Sequence, residues 1–373
     1  MRHRPTSPDE LAAIINDAAA RGQTLAVTGS GSRPGIGPEQ ADALLDMTGI
    51  GGTARHDPAE LLLTAPASTP LPAIEAQLAA AGQCLAFEPP CPDALWGKGS
   101  GTLGGAIACG LSGPRRPFAG AARDHVLEVR GVTGRGERFR AGGKVLKNVT
   151  GFDLPRLLTG ARGQLAVLTE ITVKALPLPA AQATLAVPSE TVAAAVRIMA
   201  DALMVDTGIS GAAWAGGEVH LRIEAGAALP ALLADARARL PSGRVIEGDD
   251  SRALWAGIAS LAGHLREGDI VWRCPLPASR APALAALLPA AARLLLDWGG
   301  ALAWVLLPPD HDDVNLHVLV AAAAGREGHA VRLRGNSASV PARAPLDPAL
   351  AALNGRVRAQ FDPAFILNPG LLP

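Results

Sequence analysis

The chain has 373 residues, 49% hydrophobic and 18% charged, with a mean hydropathy of +0.22, which suits a soluble globular protein of two or three domains. Its formal net charge is zero, and six Phe and six Trp are scattered without the aromatic-basic interleaving that stacks bases, which argues against nucleic acid or an anionic membrane surface as a partner. No apolar run approaches the roughly 20 residues that span a bilayer, and Met1-Arg2-His3-Arg4-Pro5 leads into a polar segment without the apolar core of a signal peptide, so a cytoplasmic protein is expected.

In chain order, Ser7-Pro8-Asp9-Glu10 supplies an N-cap, a first-turn proline and an acidic third position. Leu11, Ile14, Ile15 and Ala18 then form one apolar face, and Gly22 ends the helix. Residues 23–28 read as a short strand running into Gly29-Ser30-Gly31-Ser32-Arg33-Pro34-Gly35. A second unit follows, with a strand over 61–67, a helix over 74–81 stopped by Gly82, and the apolar Leu85-Ala86-Phe87. A glycine-dense stretch spans 97–113. From Val126 to Val173 the period is mostly two, broken by the turn Gly134-Arg135-Gly136-Glu137, which predicts antiparallel strands. Pro177 and Pro179 mark a boundary. Beyond it, Ala/Leu-rich helices alternate with strands such as 219–223, 271–275 and 303–307. A helix over 346–360 exits into Phe361-Asp362-Pro363, and the chain nears its end at Asn368-Pro369-Gly370.

Three segments carry chemistry. The first loop follows a strand, but a Rossmann site needs a third glycine opening a helix and an acid about 20 residues on. Pro34 stands where that glycine would be, and Asp46 lies inside a Leu44-Leu45-Asp46-Met47 strand. Successive small residues remain, whose N–H groups can converge on an anion such as a pyrophosphate, or simply form a hairpin turn. The second loop, Gly99 to Gly110, sets five glycines among small apolar residues, as suits backbone lying flat against a planar ring or a tightly packed helix start. The third comprises Lys144-Val145-Leu146-Lys147-Asn148-Val149-Thr150-Gly151-Phe152-Asp153-Leu154 and the run from Leu158 to Glu170.

Together these segments resemble the FAD-binding domain of the vanillyl-alcohol oxidase superfamily, the PCMH type. Trp272-Arg273, Asp297-Trp298-Gly299-Gly300-Ala301 and Asn368-Pro369-Gly370 are similar to one branch, the E subunit of bacterial glycolate oxidase. The resemblance covers essentially the whole chain. It implies an α+β fold: a PCMH-type FAD-binding domain of two α/β subdomains over 1–178, an α+β cap over 179–345, and a C-terminal segment, 346–373, returning to the FAD domain. It implies that Thr28, Gly29, Ser30, Gly31, Ser32 and Arg33 surround the FAD pyrophosphate. Gly101, Thr102, Leu103, Gly104 and Gly105, with Ala108, Cys109, Gly110 and Ser112, would line the flavin and ribityl chain. Arg123 and Asp124 fall on a second phosphate-side turn. Lys147, Asn148, Gly151 and Asp153 would close over the cofactor, and Gly163, Leu165 and Val167 would meet a ring edge. FAD is expected to be non-covalent, because the first loop has no histidine.

Partners implied by the resemblance are a larger FAD subunit and an iron–sulfur subunit, with a small 2-hydroxy acid as substrate of the complex, at the inner face of the cytoplasmic membrane. Cys84, Cys91, Cys109 and Cys274 lack metal-ligand spacing and are expected to be four buried, reduced thiols, so any iron–sulfur cluster belongs to another chain. Oxidising a 2-hydroxy acid needs a base, a cation for the carboxylate and a hydride acceptor. No base is evident. Arg273 is the candidate for a carboxylate or partner contact, with a structural ion pair as the alternative. His311-Asp312-Asp313-Val314-Asn315-Leu316-His317 resembles the metal motif of the paralogous subunit only superficially, and a solvated loop explains it; no metal is expected. His56 and His125 are expected to pack. The alternatives are a self-sufficient FAD-dependent D-2-hydroxy-acid dehydrogenase of the lactate type, or a non-catalytic scaffold.

Overall fold

A computed structural model describes residues 1–32, 41–143, 151–204, 208–240 and 242–371. The chain divides into two compact units. Unit 1 comprises Met1–Ser112, Gly120–Leu178 and Pro345–Pro373; unit 2 comprises Gly113–Ala119 and Pro179–Ala344.

Unit 1 carries ten strands among the described residues: β1 (Arg2–His3), β2 (Leu25–Thr28), β3 (Ala43–Asp46), β4 (Arg55–Asp57), β5 (Leu62–Pro66), β6 (Gln83–Cys84), β7 (Val126–Thr133), β8 (Arg138–Gly142), β9 (Ala166–Lys174) and β10 (Leu176–Pro177). They form a small parallel sheet in the order β1-β3-β2, an antiparallel sheet in the order β4-β5-β9-β7-β8, and the pair β10-β6. Helices α1 (Pro8–Arg21), α2 (Leu71–Ala79), α3 (Pro92–Trp96), α4 (Leu103–Cys109), α5 (Arg116–Ala119, in unit 2), α6 (Ala122–His125) and α7 (Leu154–Leu158) accompany them.

The first helix forms as its sequence dictates. The Ser7 side chain accepts from Glu10 N–H, and Gly22 closes the helix in the left-handed conformation. Leu11, Ile15 and Ala18 are buried, packing with Leu25, Leu45, Ile366 and Leu367 into one core. A second core, built on Leu63, Ile74, Leu78, Phe87, Leu103, Ile107 and Ile171, lies between the antiparallel sheet and the helices α2 and α4. The two lobes are the two subdomains of the expected α+β fold.

Two local features are set by packing. Leu85-Ala86-Phe87 follows the short strand Gln83–Cys84, and Phe87 is fully buried in the second core. The second glycine loop takes, at its end, the packed helix start. Thr102 caps it through Gly105 N–H, and residues 103–109 turn into α4. Glycine is required there by packing, because a Cβ on Gly104 would come 2.8 Å from both Cβ and the carbonyl oxygen of Ala67.

The chain end belongs to unit 1. Ile366 O accepts from Leu25 N–H at 2.8 Å, Asn368 N–H donates to Leu25 O at 2.9 Å, and Leu25 bridges Leu367 in parallel. The C-terminal segment thus covers the open edge of β2. Asp362, fully buried, holds that segment by accepting from Ile366 N–H and Leu367 N–H.

Among the described residues, unit 2 carries helices packed on one antiparallel sheet of eight strands: β11 (Ala181–Pro188), β12 (Ile209–Ala215), β13 (Glu218–Ala225), β14 (Arg244–Glu247), β15 (Ile270–Pro275), β16 (Arg293–Asp297), β17 (Leu302–Leu307) and β18 (Val331–Arg334). Their order is β14-β11-β13-β12-β16-β17-β15-β18. Its core gathers Leu185, Met199, Leu221, Trp272, Val305, Leu316 and Val320. Among the described residues, no helix is long and apolar enough to cross a membrane.

Candidate functional site

A cleft of about 580 Å³, its open mouth included, lies in unit 1. Its walls come from stretches remote in sequence: the end of β2, Met47, Ala67 and Ser68, the start and inner face of α4, the turn from Leu158 to Leu168, and Asn368. Most of the surface is backbone and small side chains.

Eight of the residues expected at a cofactor line this cleft: Thr28, Gly29, Thr102, Gly104, Gly105, Ala108, Gly163 and Val167. The strand β2 delivers the first two, in register with β3 through Thr28 and Asp46. Past them, the amides of Gly29, Ser30, Gly31 and Ser32 have no hydrogen-bond partner among the described residues, and Gly31 takes a φ of +67°. Such a run of unclaimed N–H groups suits an anion. Ser30 and Gly31 are exposed and Ser32 is buried. Arg33, Lys147 and Asn148 lie outside the described residues.

Other expected residues support the walls from behind. Leu103 is fully buried in the core, and Leu165 packs there too. Gly101, at φ +78°, sits against Pro92 and the Ser32 hydroxyl. Cys109 is half-buried at the end of α4, and Gly110 caps that helix at φ +63°, hard against the backbone of Gly160. Ser112 is buried and accepts from Ala122 N–H. Arg123 and Asp124 lie on α6, where Arg123 is exposed and Asp124 accepts from Ala121 N–H and pairs with Arg156 at 3.3 Å. Gly151 is exposed, and Asp153 caps α7 through Arg156 N–H.

Of the cleft residues that the sequence does not single out, two shape it most. Arg162 is the one charged side chain lining the cleft among the described residues; it is buried and held at φ +53°, its N–H donating to Ala108 O. Asn368 ties the walls together. Its Oδ1 accepts from Val27 N–H at 2.7 Å, its Nδ2 donates to Arg162 O at 2.6 Å, and its carbonyl accepts from Gln164 Nε2 at 2.9 Å. A Cβ on Gly163 would come 2.8 Å from Asn368 Nδ2, so that glycine is needed for the clamp to close. The Asn-Pro-Gly turn was legible as a motif, but its partners lie 206 and 341 residues away in sequence.

Asp46 is occupied elsewhere. Burial would raise its carboxyl, but hydrogen bonds from Thr48 and Arg2 outweigh that and hold it below the usual carboxylate range. It therefore anchors the chain start and serves no ribose.

The expectation of four buried thiols is corrected: Cys274 is buried, Cys84 and Cys109 are half-buried, and Cys91 is exposed at the cap of α3. His56 bonds Gln83 at 2.9 Å, and His125 is buried with its ring 5.7 Å from Phe87. His311 pairs with Asp310, and His317 meets the carbonyl of Pro341 and the edge of Trp272. Among the described residues, no group of three or more His, Cys, Asp or Glu could hold a metal ion. Arg273 lies on β15 in unit 2 and makes no ion pair among the described residues; it stacks on Trp298 at 4.8 Å.

A family profile described as an FAD binding domain matches residues 2–142. The chain is similar to glycolate oxidase subunit GlcE of Escherichia coli (strain K12), 37% identical over 95% of this chain and 94% of that protein. It also resembles glycolate oxidase subunit GlcD of Bacillus subtilis (strain 168), 38% identical over 31% of this chain and 24% of that protein. A D-lactate dehydrogenase of Archaeoglobus fulgidus is 31% identical over 36% of this chain and 33% of its own length. Among solved structures, an alkyldihydroxyacetonephosphate synthase superposes with a TM-score of 0.71 over 99% of this chain and 76% of its own, at 14% identity, a likeness of fold.

Proposed function

The chain belongs to the glycolate oxidase subunit GlcE family, an FAD-linked oxidoreductase family, and from that premise we propose that it is the FAD-carrying E subunit of a multi-subunit glycolate oxidase. The complex converts glycolate to glyoxylate. The observation that carries this reading is the unit 1 cleft, whose bare backbone walls leave room for a flat cofactor that side chains would exclude.

FAD is the cofactor, and when bound it supplies the acceptor for the hydride leaving the hydroxy-acid carbon. The rest is the work of this chain's residues. The amides of residues 29–32, which have no partner among the described residues, receive the pyrophosphate, which needs N–H donors because it carries about two negative charges. Gly104, Gly105 and Ala108 offer a wall without projecting side chains. Arg162 brings a permanent positive charge into the cleft, where it would favour the anionic reduced cofactor. Asn368 holds both walls at fixed separation.

Electrons then pass to partner subunits, a larger flavoprotein and an iron–sulfur protein, at the inner face of the cytoplasmic membrane. The separate letters of the GlcE and GlcD relatives support a shared complex. The similarity to a D-lactate dehydrogenase favours a second reading, a self-sufficient D-2-hydroxy-acid dehydrogenase. An absorption spectrum of the purified chain, before and after anaerobic glycolate, separates them. The subunit reading expects a yellow protein that bleaches fully only when its co-purifying partners are present. Complete bleaching by the chain alone would establish the second reading, and a colourless chain that takes up no FAD would overturn both.

A further inference from the structure

Unit 2 holds a cluster of positive charge that the cleft does not use. Arg273 on β15 faces Trp304 directly across on β17 and Val331 on β18, and Val331 in turn bridges Arg343. Side chains directly opposite one another share a sheet face, so Trp304, Arg273, Val331 and Arg343 form one row. The guanidinium of Arg273 lies 4.8 Å from the Trp298 ring centre and 6.0 Å from that of Trp304. Arg116, at the start of α5, stacks on the same Trp298 ring at 4.3 Å.

The arrangement is held firmly. Trp298 takes a φ of +56° and is followed by Gly299 and Gly300 at +67° and +95°. Its indole N–H donates to Gly113 O at 2.9 Å, and its backbone N–H donates to buried Asp297. Loss of solvent first, and the nearby charge of Arg116 second, pull the Arg273 guanidinium down to about 10, and the charges of Arg273, Arg343 and Arg116 also act on His329. At neutral pH Arg273 is charged, and Asp297 is the acid that acts on it. Arg273 itself makes neither a hydrogen bond nor an ion pair among the described residues. Opposite it, the indole N–H of Trp304 is buried and also lacks a partner among the described residues. Among these residues, a planar fork of donors and an indole N–H on one sheet face have no acceptor.

We propose that Arg273, with Arg116 beside it and the Trp304 N–H opposite, binds the carboxylate of a small organic acid. A carboxylate supplies two coplanar acceptor oxygens, which match a guanidinium fork better than a chloride does. The choice of a 2-hydroxy acid rests on the function proposed above; the anion site itself does not.

The test is a titration of the purified full chain with sodium glycolate at constant ionic strength, read by tryptophan fluorescence, because two of the six tryptophans flank Arg273. A saturable change is expected, absent with sodium chloride. Arg273→Gln should weaken it on the order of 10- to 100-fold, the worth of a charge-assisted bond, and Arg273→Lys should fall between, keeping charge without the fork. A flat titration, the same curve for Arg273→Gln, or equally tight binding of phosphate would overturn the proposal. Should Arg273→Gln fail to fold, the unaltered chain still decides: glycolate should slow phenylglyoxal modification of Arg273, mapped by mass spectrometry, and equal labelling with and without it overturns the site. No flavin turnover is needed. A colourless chain sinks the oxidoreductase reading and leaves this titration intact, whereas a flat titration of a yellow chain sinks only the carboxylate site.

Discussion

Replacing Asn368 by alanine removes one side chain and two long-range bonds. Val27 N–H loses its acceptor at 2.7 Å and Arg162 O its donor at 2.6 Å, and Asn368 is only 3% exposed. A buried polar group left unpaired costs about 1–3 kcal/mol, so two would cost about 2–6 kcal/mol. Water entering from the adjoining cleft can satisfy part of this, which places the expected loss at about 2–3 kcal/mol. Backbone strain adds to it. Asn368 sits at φ +43°, where asparagine is tolerated and alanine costs roughly 1 kcal/mol more.

That strain can be measured separately, because glycine has no Cβ penalty there. Asn368→Gly should therefore be about 1 kcal/mol less damaging than Asn368→Ala. Asn368→Asp keeps the acceptor for Val27 but sets a second oxygen against Arg162 O, and it should be no better than alanine. The assay is urea unfolding of the flavin-loaded chain, followed by released flavin fluorescence, alongside the FAD dissociation constant. Because both cleft walls hang on this residue, FAD should bind on the order of tenfold more weakly, equivalent to about 1.4 kcal/mol. Wild-type stability for Asn368→Asp would refute the reasoning, as would Asn368→Ala within about 0.5 kcal/mol and twofold in FAD affinity of wild type.

The remaining expectations concern the cleft and one histidine. Arg162→Met should weaken FAD by roughly 10- to 100-fold while leaving the far-UV spectrum unchanged, and Arg162→Lys should recover part of it; unchanged affinity for methionine would remove Arg162 from the site. Gly104→Ala should destabilise unit 1 by about 1–3 kcal/mol through its clash with Ala67. Gly105→Ala, whose Cβ would meet only the Thr102 hydroxyl at 3.3 Å, should fold normally yet bind FAD less well; equal behaviour of the two variants in urea unfolding and FAD titration would contradict the packing argument. For His220, desolvation outweighs the pull of Glu218 and lowers its imidazole below the usual 6.5. Below pH 6.5 the unfolded chain therefore takes up a proton that the folded chain refuses, so stability falls with falling pH, by at most about 1.4 kcal/mol per pH unit until the folded-state value is reached. Urea midpoints between pH 7 and 5 should show this slope in wild type and a shallower one in His220→Gln, because desolvation lowers His264 and His329 as well.

Local signals in the sequence were read correctly where one short segment decides the outcome. The cap from Ser7 to Glu10, the stop at Gly22 and the period of two from Val126 to Val173 each act within a few residues, and each appears as α1 or as the strands of the antiparallel sheet. The turn of residues 103–109 into a helix was harder to read. Glycines depress helix propensity, and only the close approach of Ala67, over 30 residues earlier in the sequence, explains why they are needed. Arg162 was hidden for a similar reason. Among 34 lysines and arginines its type says little, and its burial depends on contacts to Ala108 and Asn368. Arg273 was visible beside Trp272, but that it pairs with no carboxylate among the described residues is a fact of three dimensions.

The walls of the cleft belong to segments that meet only when unit 1 is complete, and this ties cofactor binding to folding. β2 contributes Thr28 and Gly29, yet its free edge is sealed by residues 366–368, and the same residues fix the turn at Arg162. Removing the chain end would thus expose an edge strand and release two walls at once. Because the unfolded chain cannot assemble these walls, FAD stabilises only the folded form, by about 2.7 kcal/mol at a hundredfold excess over its dissociation constant. That gain is comparable to the loss expected from Asn368→Ala, so excess FAD should mask the variant's instability, and the defect is best measured at limiting cofactor.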